Sequence, residues 1–127
     1  MEVRRLVTES GVEIAHRVEI ADDFFSLARG LLGRSNLPAG EGILLVGCWN
    51  IHMFFMRFAI DVVYVDAELR VLKTRPALRP WRLSACPGAH TTIELAQGTL
   101  ARHPLAPGDR LRLAPISDRG DAVNHAC

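Results

Sequence analysis

Cys48, His52 and Cys86 are the residues whose types come closest to a reactive set. A thiolate beside an imidazole is what nucleophilic catalysis by cysteine requires, and both side chains are zinc ligands. The spacing matches no standard zinc module, because Cys86 is remote and a fourth ligand is unassigned. A buried thiol, a satisfied histidine and a loop cysteine would give the same residues without chemistry. Zinc binding or redox chemistry is the alternative for these donors, and the reading taken forward needs no cofactor.

Asp61 is the second candidate. It lies between Ile60 and the apolar run Val62–Val65, where a free carboxylate would be expensive to bury. It can accept backbone N–H bonds and pin the preceding Phe58-Ala59 turn, or it can serve as a general base or binding carboxylate at a pocket edge. The third group is aromatic: Trp49, Phe54, Phe55 and Phe58, and then Trp81 between Arg79 and Arg82. Aromatics at strand spacing are usually core, but an indole in a proline-rich loop either covers a barrel mouth or faces a partner. The flanking arginines could hold an anion or stack on a ring. Phosphate-binding glycine loops, zincin helices and serine nucleophile elbows have no match in the chain.

The elements that must position these residues are mostly strands. Val12, Ile14, Val18 and Ile20 alternate with polar residues, which predicts a half-buried strand paired with Val3–Thr8. Asp22 or Asp23 offers an N-cap, and Phe24, Leu27, Ala28 and Leu31 recur at helical spacing up to a Gly33 stop. Ile43–Val46, His52–Phe55, Ile60–Val65, Leu69–Thr74, His90–Leu95 and Arg110–Leu113 read as further strands, with a turn or helical stub around Gln97–His103. Pro76 to Gly88 reads as one long loop. The expectation is a mainly β, compact antiparallel or mixed sandwich or barrel-like domain with one short helix in its N-terminal half. It covers residues 1–115, and 116–127 form a flexible tail.

With 49% hydrophobic and 23% charged residues the chain has the composition of a folded domain. A net charge of +1 gives no electrostatic case for nucleic acid. No apolar stretch is long enough to span a bilayer, and the N-terminal residues lack the pattern of a signal peptide. Three cysteines do not suggest a disulfide framework. A cytoplasmic protein without membrane insertion, monomeric or weakly homodimeric, is the expectation.

The order of several short blocks carries a resemblance. Gly30-Leu31-Leu32 is followed by Gly40-Glu41-Gly42-Ile43-Leu44-Leu45, then by Phe55-Met56-Arg57-Phe58-Ala59-Ile60-Asp61, Ile93-Glu94-Leu95-Ala96-Gln97-Gly98 and Pro107-Gly108-Asp109. Over roughly Val12 to Leu113 the chain resembles the family called domain of unknown function 192. Phe55 stands where many members have tryptophan, Leu32 where many have methionine and Ala59 where many have proline. The resemblance implies a compact β-sandwich or barrel-like fold and no particular reaction. It marks Met56, Asp61, Glu94, Gly98 and Gly108 as pattern positions, for which fold maintenance is an adequate role.

Two functions follow from the residues. The first is a non-enzymatic ligand- or peptide-binding accessory module, with a shallow groove formed by His52, Phe55, Arg79 and Trp81, and Asp61 nearby. The second is a small metal-binding or cysteine/histidine-dependent enzyme built on Cys48, His52 and Cys86.

Overall fold

A computed structural model describes residues 2–22 and 34–116. The helix expected over Phe24–Gly33 and nearly all of the expected C-terminal tail lie outside the described residues. The order is β1 (Val3–Thr8), β2 (Glu13–Ala21), β3 (Glu41–Val46), β4 (Asn50–His52), β5 (Ile60–Val65), β6 (Val71–Leu78), β7 (Leu83–Ala85), β8 (Thr91–Ala96), α1 (Thr99–Arg102) and β9 (Leu111–Ala114). Seven strands form one sheet in the order β6-β5-β8-β3-β2-β1-β9, and β4 pairs with β7 in a separate ribbon. Among the described residues only β2 and β3 run parallel; the other pairs are antiparallel.

The long sheet curls into a half-barrel. Its two outer strands approach at one end, where Val71 N–H donates to Asp109 O at 2.7 Å and Leu111 N–H donates to Leu69 O at 2.9 Å. The curl explains why β5 reads as an unbroken apolar run. Val63 and Val65 join Leu6, Val18, Ile93 and Leu111 inside the curl, while Ile60, Val62 and Tyr64 pack against Ile51, Met53 and Leu78 on the other face. A strand covered on both faces needs no polar alternation, and each such Val, Ile or Leu contributes about 1.5–3 kcal/mol of burial. Close strand approach also dictates Gly42, where a Cβ would lie 2.6 Å from the Glu94 carbonyl and 2.8 Å from Leu95 Cδ2.

Three sequence expectations are corrected. The strand expected at His52–Phe55 is Asn50–His52, because the chain turns at Phe55 with φ 66°. The loop expected over Pro76–Gly88 contains the end of one strand and the whole of another. β6 continues through Pro76 to Leu78, and β7 follows at Leu83. Proline is tolerated there because β6 is the edge of the sheet and carries a bulge: Ile60 pairs with Leu78 and Val62 with Arg75, so Pro76 and Ala77 together oppose Asp61.

The third correction is what Asp61 holds. Its Oδ1 accepts from Ala77 N–H at 2.8 Å, in the bulge where Ala77 has φ 52°. Its Oδ2 accepts from Leu100 N–H of α1 at 2.8 Å. The carboxylate therefore ties the bend of β6 to α1, rather than pinning the Phe58-Ala59 turn.

Candidate functional site

The β4–β7 ribbon lies over the outer face of the sheet. Ile51 and Ser84 oppose each other in the register and turn inward: Ile51 enters the core, and Ser84 Oγ bonds the buried Tyr64 hydroxyl at 2.9 Å. Strand pleating then sends Asn50, His52 and Leu83 outward. Burial is the main influence raising the Tyr64 phenol above its usual pKa; the Ser84 bond opposes it, and the nearby Cys48 and Cys86 thiols add to it. Tyr64 is thus a neutral donor under the ribbon.

Beyond His52 the chain is clasped through Met53, whose side chain is buried. Met53 N–H donates to Arg82 O and Met53 O accepts from Trp81 N–H, both at 2.8 Å. This clasp brings two turns together, and each carries a non-glycine residue in the left-handed region, Phe55 at φ 66° and Trp81 at φ 68°. The rings of His52 and Phe54 lie 5.1 Å apart, those of Phe54 and Trp81 5.8 Å and those of Phe55 and Trp81 5.0 Å. Interplanar angles of 31° and 60° at Trp81 make the group a cup rather than a stack. Beside it, a depression of about 490 Å³ is lined by Trp49, His52, Phe54 and Leu83, among others.

This surface is costly to maintain. Phe55 is 71% exposed, Leu83 65% and Trp81 59%, with Trp49 also exposed. A left-handed backbone at a non-glycine residue costs on the order of 1–2 kcal/mol. Contiguous apolar exposure on a folded domain marks an interaction surface. Three exposed arginines, Arg57, Arg79 and Arg82, stand within two residues of Phe55 or Trp81, and among the described residues no carboxylate pairs with them. The acids of residues 41–93 are Glu41, Asp61, Asp66 and Glu68, and the register sets Glu41 two strands from Ile60, about 10 Å away, on the face of Ile43. Asp61 points to the other face of β5, and the Asp66–Glu68 turn lies at that strand's far end, about 20 Å away.

The structure therefore gathers His52, Phe55 and Trp81 into one group, with Arg79 in the same turn, where Arg82 N–H donates to Arg79 O. It leaves Asp61 out, because both carboxylate oxygens are engaged across the opposite face. Cys48 and Cys86 are half-buried at the root of the ribbon; Cys48 donates to Asn50 O at 2.9 Å, and Cys86 N–H donates to Trp49 O at 2.8 Å. His52 faces outward, away from both. Among the described residues no three His, Cys, Asp or Glu side chains are grouped to hold a metal ion.

The pattern positions are structural in placement. Met56 packs on the outer core cluster, Gly98 precedes α1 at φ 95°, and Gly108 N–H donates to Val71 O at 2.8 Å in the closure of the curl. Glu94 differs from the rest. It is buried between Ile43 and Val62 on the neighbouring strands, its Oε1 has no hydrogen-bond partner among the described residues, and burial pushes its pKa up to about 7. Sequence reasoning singled out neither Leu83 as part of a surface nor Glu94 as a titrating group. The acid-free stretch from Leu69 to Ile93 was a readable signal for the cationic rim.

The profile of the family described as Uncharacterized ACR, domain of unknown function 192, matches residues 5–113. The chain belongs to this family. A UPF0127 protein of Thermococcus kodakarensis is 31% identical over 112 residues, covering 84% of this chain and 71% of its own length. A UPF0127 protein of Thermococcus sibiricus is 37% identical over 89 residues, covering 66% of this chain and 57% of its own; the chain thus spans little more than half of that relative. Among solved structures, a protein of Sinorhizobium meliloti described as a candidate transcription regulator aligns with TM-score 0.76 at 24% identity, over 88% of this chain and 92% of that one. A protein of unknown function from Novosphingobium aromaticivorans aligns with TM-score 0.73 at 22% identity, over 87% and 83%. These two likenesses establish a shared fold. The domain of unknown function 192 fold, in this chain, carries the aromatic cup on the ribbon outside its half-barrel. Among the described residues no helix is long and apolar enough to cross a membrane.

Proposed function

We propose that this chain is a non-enzymatic recognition module, acting in the cytoplasm, whose aromatic cup receives an apolar side chain of a peptide or a small ligand. The observation that carries this reading is the pair Phe55 and Trp81, two large apolar side chains projected into solvent from backbone that disfavours them. Strain that the fold does not require is characteristic of functional surfaces. The most reactive groups have other roles: the Cys48 thiol donates to a backbone carbonyl and Asp61 holds two backbone amides. A reducing compartment suits Cys48 and Cys86 as thiols.

The reading separates stability from binding. Phe55→Gly and Trp81→Gly each relieve a left-handed strain of on the order of 1 kcal/mol and add a comparable unfolded-state entropy cost. Stability should therefore stay within about 1 kcal/mol of the parent, whereas truncating a core aromatic costs about 3–5 kcal/mol. Peptides selected against the parent protein from a random phage-displayed library should lose at least about tenfold in affinity for either variant, as expected for an aromatic hot spot. Equal affinity for parent and variants, or a library that enriches nothing, would show that the cup is not a recognition surface.

A further inference from the structure

We infer that the occupant of this cup is an extended, acidic polypeptide segment, which seats an apolar side chain among Phe54, Phe55 and Trp81 and sets its carboxylates over Arg57, Arg79 and Arg82. The inference rests on the recognition reading above and adds the chemistry of the partner.

Charge complementarity gives the sign. Arg57, Arg79 and Arg82 lie within two residues of Phe55 or Trp81, are exposed, and pair with no carboxylate among the described residues. Asp61 is buried on the other face, Asp66 and Glu68 are about 20 Å away, and Glu41 is a single half-buried carboxylate two strands from Ile60. With a Debye length of about 8 Å at physiological salt, one carboxylate at about 10 Å and others farther off leave the three arginines in excess. Opposed charge across an interface mainly sets partner choice and encounter rate.

Two features favour a polypeptide over a single-stranded nucleic acid, which would also be anionic. Bases stack on parallel, open ring faces, whereas these rings lean on one another at 31° and 60°. The ribbon also offers strand edges. Bonds from Cys86 N–H to Trp49 O and from Met53 N–H to Arg82 O place residues 49 and 53 on the paired side of the ribbon. By antiparallel alternation, Asn50 and His52 then turn their backbone groups to the outer edge of β4; both residues are exposed, and the Asn50 carbonyl accepts from the Cys48 thiol there. An extended peptide can add to such an edge, its main chain giving affinity and its side chains specificity.

The test uses the full chain and three synthetic decapeptides of identical frame, Phe and Leu anchors interspersed with Glu, with Lys or with Gln, together with an oligo-dT strand. Binding is read by anisotropy, and self-association by sedimentation. The Glu peptide should bind at least about tenfold more tightly than the Lys peptide, with an advantage that shrinks toward 0.5 M salt. That preference should reverse in the Arg79→Glu/Arg82→Glu protein. Arg57→Glu, in a different turn, should weaken the Glu peptide alone.

Glu and Gln peptides binding equally, with loss on Trp81→Gly, would overturn the acidic partner and leave the recognition reading intact. Tight oligo-dT binding without peptide binding would replace the partner by nucleic acid. Dimerisation abolished by Trp81→Gly would replace it by a second copy of this chain. Binding by no probe, Trp81-dependent or otherwise, would remove both readings.

Discussion

Replacing Glu94 by glutamine is expected to raise the melting temperature by about 10 °C near pH 8 and by only about a quarter of that near pH 5. The reason is local. On β8, Glu94 lies opposite Ile43 on one side and Val62 on the other, so its strand neighbours are apolar, and among the described residues its Oε1 has no partner. Burial disfavours the charged form and lifts the pKa from 4.5 to about 7. The folded state then holds a proton that the unfolded state has released, at every pH between those two values. Stability from this group is fully present below about pH 4.5 and is lost as pH rises through about 7. The loss amounts to roughly 3 kcal/mol.

Glutamine has nearly the same shape and never ionises, so it resembles the protonated acid near pH 5 and escapes the cost near pH 8. Thermal melts of both proteins across pH decide the matter. A difference between them that is the same at both pH values would mean that Glu94 does not titrate as described.

Asp61→Ala should destabilise the fold by on the order of 3 kcal/mol, because it orphans two backbone donors at once. One is Ala77 N–H in the bulge of β6, the other Leu100 N–H at the start of α1. Asp61→Asn should cost nearly as much, since its amide NH2 group would face one of those N–H donors where an acceptor is required. The same variants should weaken binding at the cup although Asp61 does not touch it, because the bulge sets how β6 runs into the Arg79–Trp81 turn. Denaturant unfolding at fixed pH measures the first effect; a variant as stable as the parent would show that the two bonds are not needed.

Asp61 also shows how far the sequence could be read. A lone carboxylate ahead of an apolar run has to find backbone donors, and this was legible. Which donors it finds was not, since Ala77 and Leu100 lie 16 and 39 residues away. Period-two alternation announced β1 and β2, and the apolar run announced β5. β6 beyond Thr74 was hidden by Pro76, because a proline in a bulged edge strand looks like a loop until the pairing is known. β7 is three residues long and gains its order from β4 and the Met53 clasp, neither of which has a local signature. The parallel pairing of β2 with β3 is likewise a non-local fact.

The cup was half legible. His52, Phe55, Arg79 and Trp81 stood out as an odd mixture of aromatic and cationic residues. The turn at Phe55 was not foreseen, since phenylalanine at a positive φ runs against local preference. Such disagreement between local preference and observed geometry is expected at functional surfaces. Glu94 was legible as a pattern position but not as a titrating group, since its environment is supplied by β3 and β5.

The most direct test of the proposed recognition surface is an amide-resolved NMR titration of the parent chain with the Glu-containing decapeptide. Amides of residues 49–58 and 79–85 should shift, while the closed end of the half-barrel around Thr8, His103 and Arg110 stays still. Shifts concentrated at that closed end, or spread evenly over both faces of the sheet, would contradict the account.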